Sequence, residues 1–207
     1  MQKTERVADP LPPAFYPVSL NLVGRKCVVI GAGEDREAIE KNHALREVGA
    51  DVVWLTDWEN VREEDVADAY FVIYTPQVEA PAVRLRAFAE KHKFLYCAID
   101  QPLHGFVAMA AIVKAGPARI AISTGGVSPR VGGKLRAALQ SALDTTFARF
   151  LDCLGTQKLR NRTSIPDAAA RRTTMIKSAD GFEIDITLRY PAWFEEELRT
   201  LRPTLEP

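Results

Sequence analysis

The chain is poor in the residues that metal centres and disulfide frameworks use. It has three histidines and three cysteines in 207 residues. Cys27, Cys97 and Cys153 lie far apart and form no CxxC pair, and no His/Cys/carboxylate spacing matches a dedicated metal site, so none is expected. Cys27 and Cys97 sit inside apolar runs and read as core thiols, which fits a reducing compartment and predicts a cytoplasmic location. An excess of one charge is also missing. Lys plus Arg and Asp plus Glu number 27 each, so no global field favours nucleic acid or an anionic membrane surface. No stretch approaches the roughly 18 apolar residues of a membrane span. The first residues are charged and carry Pro10, Pro12 and Pro13 where a secretory leader has its apolar run, so no leader is expected. What is left is an ordinary globular composition, 47% apolar and 26% charged, in a length that suits one α/β domain with a smaller appended part.

The organising stretch is Lys26 to Ala50. The apolar run from Cys27 to Ile30 enters a glycine turn, Gly31-Ala32-Gly33-Glu34. A helical pattern follows from about Glu37 to Val48, with Ile39, Ala44, Leu45 and Val48 on or near one face. Gly49 ends it before a second apolar run, Val52 to Leu55. Strand, glycine turn, helix, strand is the order of a dinucleotide-binding unit. There the glycines let the backbone turn tightly and approach a pyrophosphate, and the helix start offers free N–H groups to the anion. The small residue usual three positions after the second glycine is Arg36 here. The next small residue is Ala38, so the turn is expected to carry two extra residues. Gly31, Ala32, Gly33 and Glu34 are the candidate cofactor residues of this turn, against the alternative of a tight turn beside an empty crevice.

Further buried-strand runs follow at Tyr70–Tyr74, Phe94–Ile99 and Ala118–Ile122, with an amphipathic helix over Pro81–His92 between the first two. Trp58 to Ala69 reads as a short helix or loop, Phe15 to Leu22 as a short edge strand, and residues 1–13 as a loose arm. Alternating strands and helices predict an α/β fold with a Rossmann-like parallel sheet. Ligands of such sheets lie beyond the carboxyl ends of the strands, here Gly31–Gly33, Thr56–Asp57, Thr75–Gln77 and Asp100. Asp57 either binds ribose hydroxyls or caps a helix starting at Trp58. Thr75 is either a cofactor contact or a strand-end turn residue, and Asp100 either a proton-accepting carboxylate or a turn residue before Pro102. His104, four residues past Asp100, reads as a solvated loop residue or else a metal or proton-relay group, and His43 and His92 as exposed helix residues. From Pro129 one long helix is predicted, with an apolar stripe through Val131, Leu135, Leu139, Leu143, Phe147 and Leu151, and Gly155 as its cap. Such a stripe needs a cover, and a second copy of the chain would supply one. Met175 to Leu188 reads as a hairpin arm turning at Asp180-Gly181. Pro191 to Leu201 reads as a terminal helix anchored by Trp193, Phe194 and Leu198.

Two blocks carry a resemblance. One is Cys97-Ala98-Ile99-Asp100-Gln101-Pro102. The other runs from Gly116 to Pro129, GPARIAISTGGVSP. Together with FYPVSLNLVGRKCVVIGAG and the following GGKLRAAL they resemble the precorrin-2 dehydrogenase domain of siroheme synthases, over about residues 15–155. The resemblance implies NAD-dependent oxidation of precorrin-2 to sirohydrochlorin, in some members with iron insertion, by a homodimer acting on a tetrapyrrole. It implies that Asp100 is the essential carboxylate, with Ser123 and Thr124 at the mouth of the tetrapyrrole cleft. Gly125 and Gly126 let the backbone approach a flat macrocycle, and Ser128 closes the block. Arg130, Lys134 and Arg136 would stand beside the cleft for substrate carboxylates, or else form a solvated helix start. The family pattern of Thr followed by Asp or Asn after the third strand is replaced by Thr75-Pro76-Gln77. The departures gather in the nucleotide half and leave Asp100 and the STGG block intact. A non-redox, tetrapyrrole-binding or chelatase-type relative without NAD is therefore the alternative. The implied layout is a Rossmann-like NAD-binding domain over 1–115, a dimerisation and tetrapyrrole-cleft segment with the long helix over 116–155, and a C-terminal arm and helical part over 156–207.

Overall fold

A computed structural model describes residues 15–201. The arm expected over 1–13 lies outside the described residues. The chain divides into two compact units, 1–148 and 149–207.

The first unit opens with strand β1 (Lys26–Ile30), helix α1 (Arg36–Glu47), β2 (Asp51–Leu55), a one-turn helix α2 (Glu63–Val66), β3 (Phe71–Tyr74), α3 (Glu79–His92) and β4 (Leu95–Ala98). The four strands form one parallel sheet in the order β2-β1-β3-β4. Chain order leaves β1 outward to β2 and returns past it to β3, so the switch point lies between β1 and β3. Successive strand residues alternate between two cores. Val28, Ile30, Val72, Tyr74 and Tyr96 face Val66 of α2 and Ala82, Leu85 and Ala89 of α3. Cys27, Val29, Phe71, Ile73 and Cys97 face Ala38 and Leu45 of α1. Burying each such aliphatic side chain is worth about 1.5–3 kcal/mol, so this double-sided core holds the rim in place. On α1 the buried positions are Ala38, Asn42 and Leu45. Ile39 and Val48, expected on that face, are exposed, because the stripe is set by the i, i+4, i+7 row beginning at Ala38.

Phe15 to Leu22 forms no strand. Leu22 tucks into the α1-side core while Tyr16 and Val18 remain exposed, and the segment pairs with neither sheet edge. The run at Ala118 does not join the parallel sheet either. It forms β6 (Ala118–Ile122), antiparallel to β5 (Ala111–Ala115), because the two-residue turn Gly116-Pro117 returns the chain at once. Helix α4 (Pro129–Ala142) packs on β5. The Gln140 amide donates to the Lys114 carbonyl at 2.8 Å and accepts from its N–H at 3.1 Å.

The long helix expected from Pro129 is two helices. Leu143 leaves helical geometry at φ −92°, ψ 73°, and Asp144 accepts from the N–H groups of Thr146 and Phe147 at 2.8 and 3.1 Å. An aspartate in that position starts a new helix more readily than it continues an old one. Helix α5 (Thr145–Ser164) then runs straight through Gly155, which caps nothing.

In the second unit, α6 (Ala168–Lys177) is capped by Asp167, and α7 covers Ala192–Leu201. The hairpin expected over 175–188 is absent. Met175 and Ile176 belong to α6, and 182–190 is irregular with Ile184, Ile186 and Leu188 exposed. Phe182 stacks on Phe150 with ring centroids 5.3 Å apart, and that contact replaces a strand partner. Trp193 is exposed with its ring edge-on to Phe194 at 5.6 Å, while Phe194 and Leu198 are half-buried. Among the described residues no helix is long and apolar enough to cross a membrane, and no group of His, Cys, Asp or Glu could hold a metal ion.

Candidate functional site

The carboxyl rim of the parallel sheet carries two cavities. The first, of about 530 Å3, lies beyond β4. Asp100, Ile99 and Cys97 line it from one side and Ser123, Thr124, Gly125 and Gly126 from the other, so the two resemblance blocks meet there. Asp100 follows β4 in the left-handed region at φ +57°, a conformation aspartate tolerates better than most side chains. The side-chain amide of Gln77, at the end of β3, donates to Asp100 Oδ2 at 3.0 Å. Gln101 in turn donates to the Pro76 carbonyl at 2.9 Å, tying the two strand ends together. Burial pushes the Cys97 thiol up to about 12, so at neutral pH it is an uncharged part of the wall and no nucleophile. The carboxylates that line this cavity are Asp100, which is exposed, and Glu37 of α1.

The block after β6 is shaped by its own hydrogen bonds. Gly125 and Gly126 have φ +62° and +81°, values open to glycine. The Thr124 hydroxyl donates to the Ser128 carbonyl at 3.1 Å. Ser128 caps α4 through the Val131 N–H and does not line the cavity. From α4 the lining residues are Pro129, Gly132 and Gly133. Arg130, Lys134 and Arg136 are exposed and outside the lining. The lysine that does line the cavity is Lys41, one turn along α1 from Glu37, to which its Nζ pairs at 2.7 Å. Burial opposes its charge, but the bonds and fields of Glu37 and Glu40 outweigh that and hold its pKa above the ordinary value. Sequence reasoning placed Gln77 at the rim without its bond to Asp100, and missed Lys41. Lys41 is a helix lysine in an unremarkable context, and only tertiary packing turns it toward the site.

The second cavity, of about 470 Å3, lies beyond β2 and is lined by Asp57, Thr56, Trp54 and Arg62 among others. Asp57 caps no helix. Its two oxygens accept from the Asn60 amide, each at 3.0 Å, and the next helix begins only at Glu63.

Between the cavities, at the switch point, the glycine turn meets β3. Ala38 is buried against Gly31, which confirms that the turn is two residues longer than usual. Asp35, between Gly33 and Ala38, caps α1. Its Oδ1 accepts from the Glu37 N–H at 2.9 Å, and its Oδ2 accepts from the hydroxyl of Thr75. Thr75 is buried, and the Trp54 indole donates to the Gly31 carbonyl at 2.9 Å. Gly33 and Glu34 remain exposed at the tip. A pyrophosphate seated on this helix start would share it with a carboxylate that already supplies the anion. The residues therefore do not fit a dinucleotide there while Asp35 holds its place.

Comparison with known proteins gives three results. No family model matches the chain. It is 31% identical over 177 residues to a siroheme synthase of Xylella fastidiosa (strain M12), covering 77% of this chain and 37% of that protein. It is 26% identical over 201 residues to a siroheme synthase of Nitrosococcus oceani, covering 88% of this chain and 42% of that one. The chain belongs to the siroheme synthase family. It spans about two fifths of the length of these family members. A solved structure, SirC, precorrin-2 dehydrogenase, is similar to this chain in fold, with a TM-score of 0.60 and 19% identity, over 91% of this chain and 100% of that one.

Proposed function

We propose that the chain acts on a tetrapyrrole in siroheme biosynthesis, with the macrocycle in the cavity beyond β4 and Asp100 as the proton acceptor. The observation that carries this reading is the meeting of Asp100 with Ser123–Gly126 around one cavity of about 530 Å3. That is a volume suited to a ligand of this size class. The first reading of the reaction is dehydrogenation of precorrin-2 to sirohydrochlorin. The substrate loses two electrons and two protons, as a hydride and a proton, and a carboxylate at a strand end can take the proton. The hydride needs an acceptor; the resemblance implies NAD+, which on this reading would have to be held without a pyrophosphate seat on the start of α1.

A second reading is favoured by the Asp35–Thr75 pair: a non-redox tetrapyrrole-binding or chelatase-type protein. In that case Asp100 would receive pyrrole protons as a metal substrate enters the macrocycle. One experiment separates the two. Purified protein is incubated with precorrin-2 with and without NAD+, and sirohydrochlorin is followed by its absorption. NAD+-dependent conversion supports the first reading. Binding of sirohydrochlorin without conversion supports the second, and absence of tetrapyrrole binding overturns both. We also propose a homodimer, because α4 leaves Val131 and Leu135 exposed. A monomeric mass in analytical ultracentrifugation would overturn that.

A further inference from the structure

Asp35 lies in the lengthened stretch between Gly33 and Ala38, and nothing in its sequence context marks it as part of a site. In the fold it sits at the positive end of α1, a twelve-residue helix, facing the crevice between β1 and β3. Its carboxylate is fixed from two directions. The Glu37 N–H comes from its own helix, and the Thr75 hydroxyl comes from across the crevice. Thr75 is itself locked in place, since it is buried and its Oγ1 lies where a Cβ on Gly31 would be. The helix dipole and the first free N–H groups favour one anion at such a position.

We infer that Asp35 is a resident anion, latched to Thr75, which occupies the place a dinucleotide's pyrophosphate would take and so sets this chain against phosphate-bearing nucleotides at the α1 start. The inference rests on the Rossmann reading of the rim and concerns the cofactor half alone. The tetrapyrrole cavity is lined by other residues. The latch acts by charge. A second anion would have to share N–H donors with a carboxylate at contact distance in a partly desolvated crevice, where like charges repel strongly.

The test is Asp35→Asn. The amide is isosteric: its oxygen can still cap Glu37, its NH2 donates to the Thr75 hydroxyl, which turns its own proton to the Ile30 carbonyl at 3.3 Å, and the charge is lost. NAD+, ADP and adenosine are titrated calorimetrically into the wild-type chain and the variant, with sirohydrochlorin binding as a control. The expected result is a gain of about tenfold or more in affinity for NAD+ and ADP, shrinking as salt rises, with none for adenosine. Should Asp35→Asn fold poorly, Asp35→Ser, which retains a cap, gives the same comparison. Equal affinities in wild type and variant, weaker nucleotide binding in the variant, or an equal gain for adenosine would each overturn the inference. Loss of sirohydrochlorin binding in the wild type would instead overturn the proposed function and leave this inference standing.

Discussion

Replacing Gly31 by alanine tests directly whether the crevice between β1 and β3 is filled. The added methyl would collide with Thr75 Oγ1 and come within 3.0 Å of Ala38 Cβ and 3.1 Å of Asp35 Oδ2. None of these can withdraw cheaply. Thr75 is β-branched, so turning χ1 exchanges the hydroxyl for a methyl group, and Ala38 Cβ moves only if α1 moves. Overpacking a buried site costs about 1–3 kcal/mol, and a shifted helix places this case in the upper half, about 2–3 kcal/mol. In a unit of this size that lowers Tm by about 4–12 °C. Thr75→Ala removes the colliding oxygen but leaves Asp35 short of a donor, a loss of about 1–3 kcal/mol by itself. The double variant should lose less than the sum of the two, with a coupling of about 0.5–3 kcal/mol. Urea unfolding followed by Trp54 fluorescence, in a Trp58→Phe, Trp193→Phe background, is the assay. The Trp54 indole is bonded to the Gly31 carbonyl and reports on this place. Strict additivity, or a Gly31→Ala chain as stable as its parent, would refute the packing described for the switch point.

Other outcomes follow from the same geometry. Asp100→Ala should cut tetrapyrrole turnover by about 10²–10⁴-fold while leaving the unfolding midpoint in place, and unchanged turnover would remove Asp100 from the chemistry. Gln77→Leu should lower kcat about 2- to 10-fold with KM unmoved, since it loses one hydrogen bond to Asp100 and no cavity wall. Of the three cysteines, exposed Cys153 should react with a thiol reagent at once, while buried Cys27 and Cys97 should react only on unfolding; three equal rates would contradict the fold. Burial, aided by Asp51, raises the Cys27 thiol to about 11. A raised folded-state value means that this contribution to stability is full below the ordinary thiol pKa near 8.5 and is lost as pH rises through about 11. A Cys27→Ala chain should therefore lose this part of the alkaline fall in stability, visible in urea midpoints taken from pH 8 to 11.

Much of the first unit was legible in the residues alone. Cys27–Ile30, Tyr70–Tyr74 and Phe94–Ile99 are continuous apolar runs because both faces of a parallel strand are buried, and local composition records that directly. The meeting of Asp100 with the STGG block was legible only as a resemblance, and its cavity agrees. Elements whose partners are distant in the chain were misread. Ile184, Ile186 and Leu188 alternate like a strand, yet no ladder forms for them, since alternation describes a pattern and not a partner. Val131 to Leu151 repeats like one helix, but the side chain of Asp144 competes for the backbone N–H groups and restarts it.

The chain by itself determined where the parallel strands run, where the glycine turn falls and that Ala38 must take over from Arg36 beside Gly31, because strand burial, turn geometry and side-chain size are local properties. Tertiary structure decided that Asp35 and Thr75, forty positions apart, close on one another across the crevice, that Gln77 bonds Asp100, and that Lys41 lines the cavity where Arg130, Lys134 and Arg136 do not. Such pairings depend on strand order and on the rotation of each helix about its axis. Only the packing of the whole sheet sets either of them.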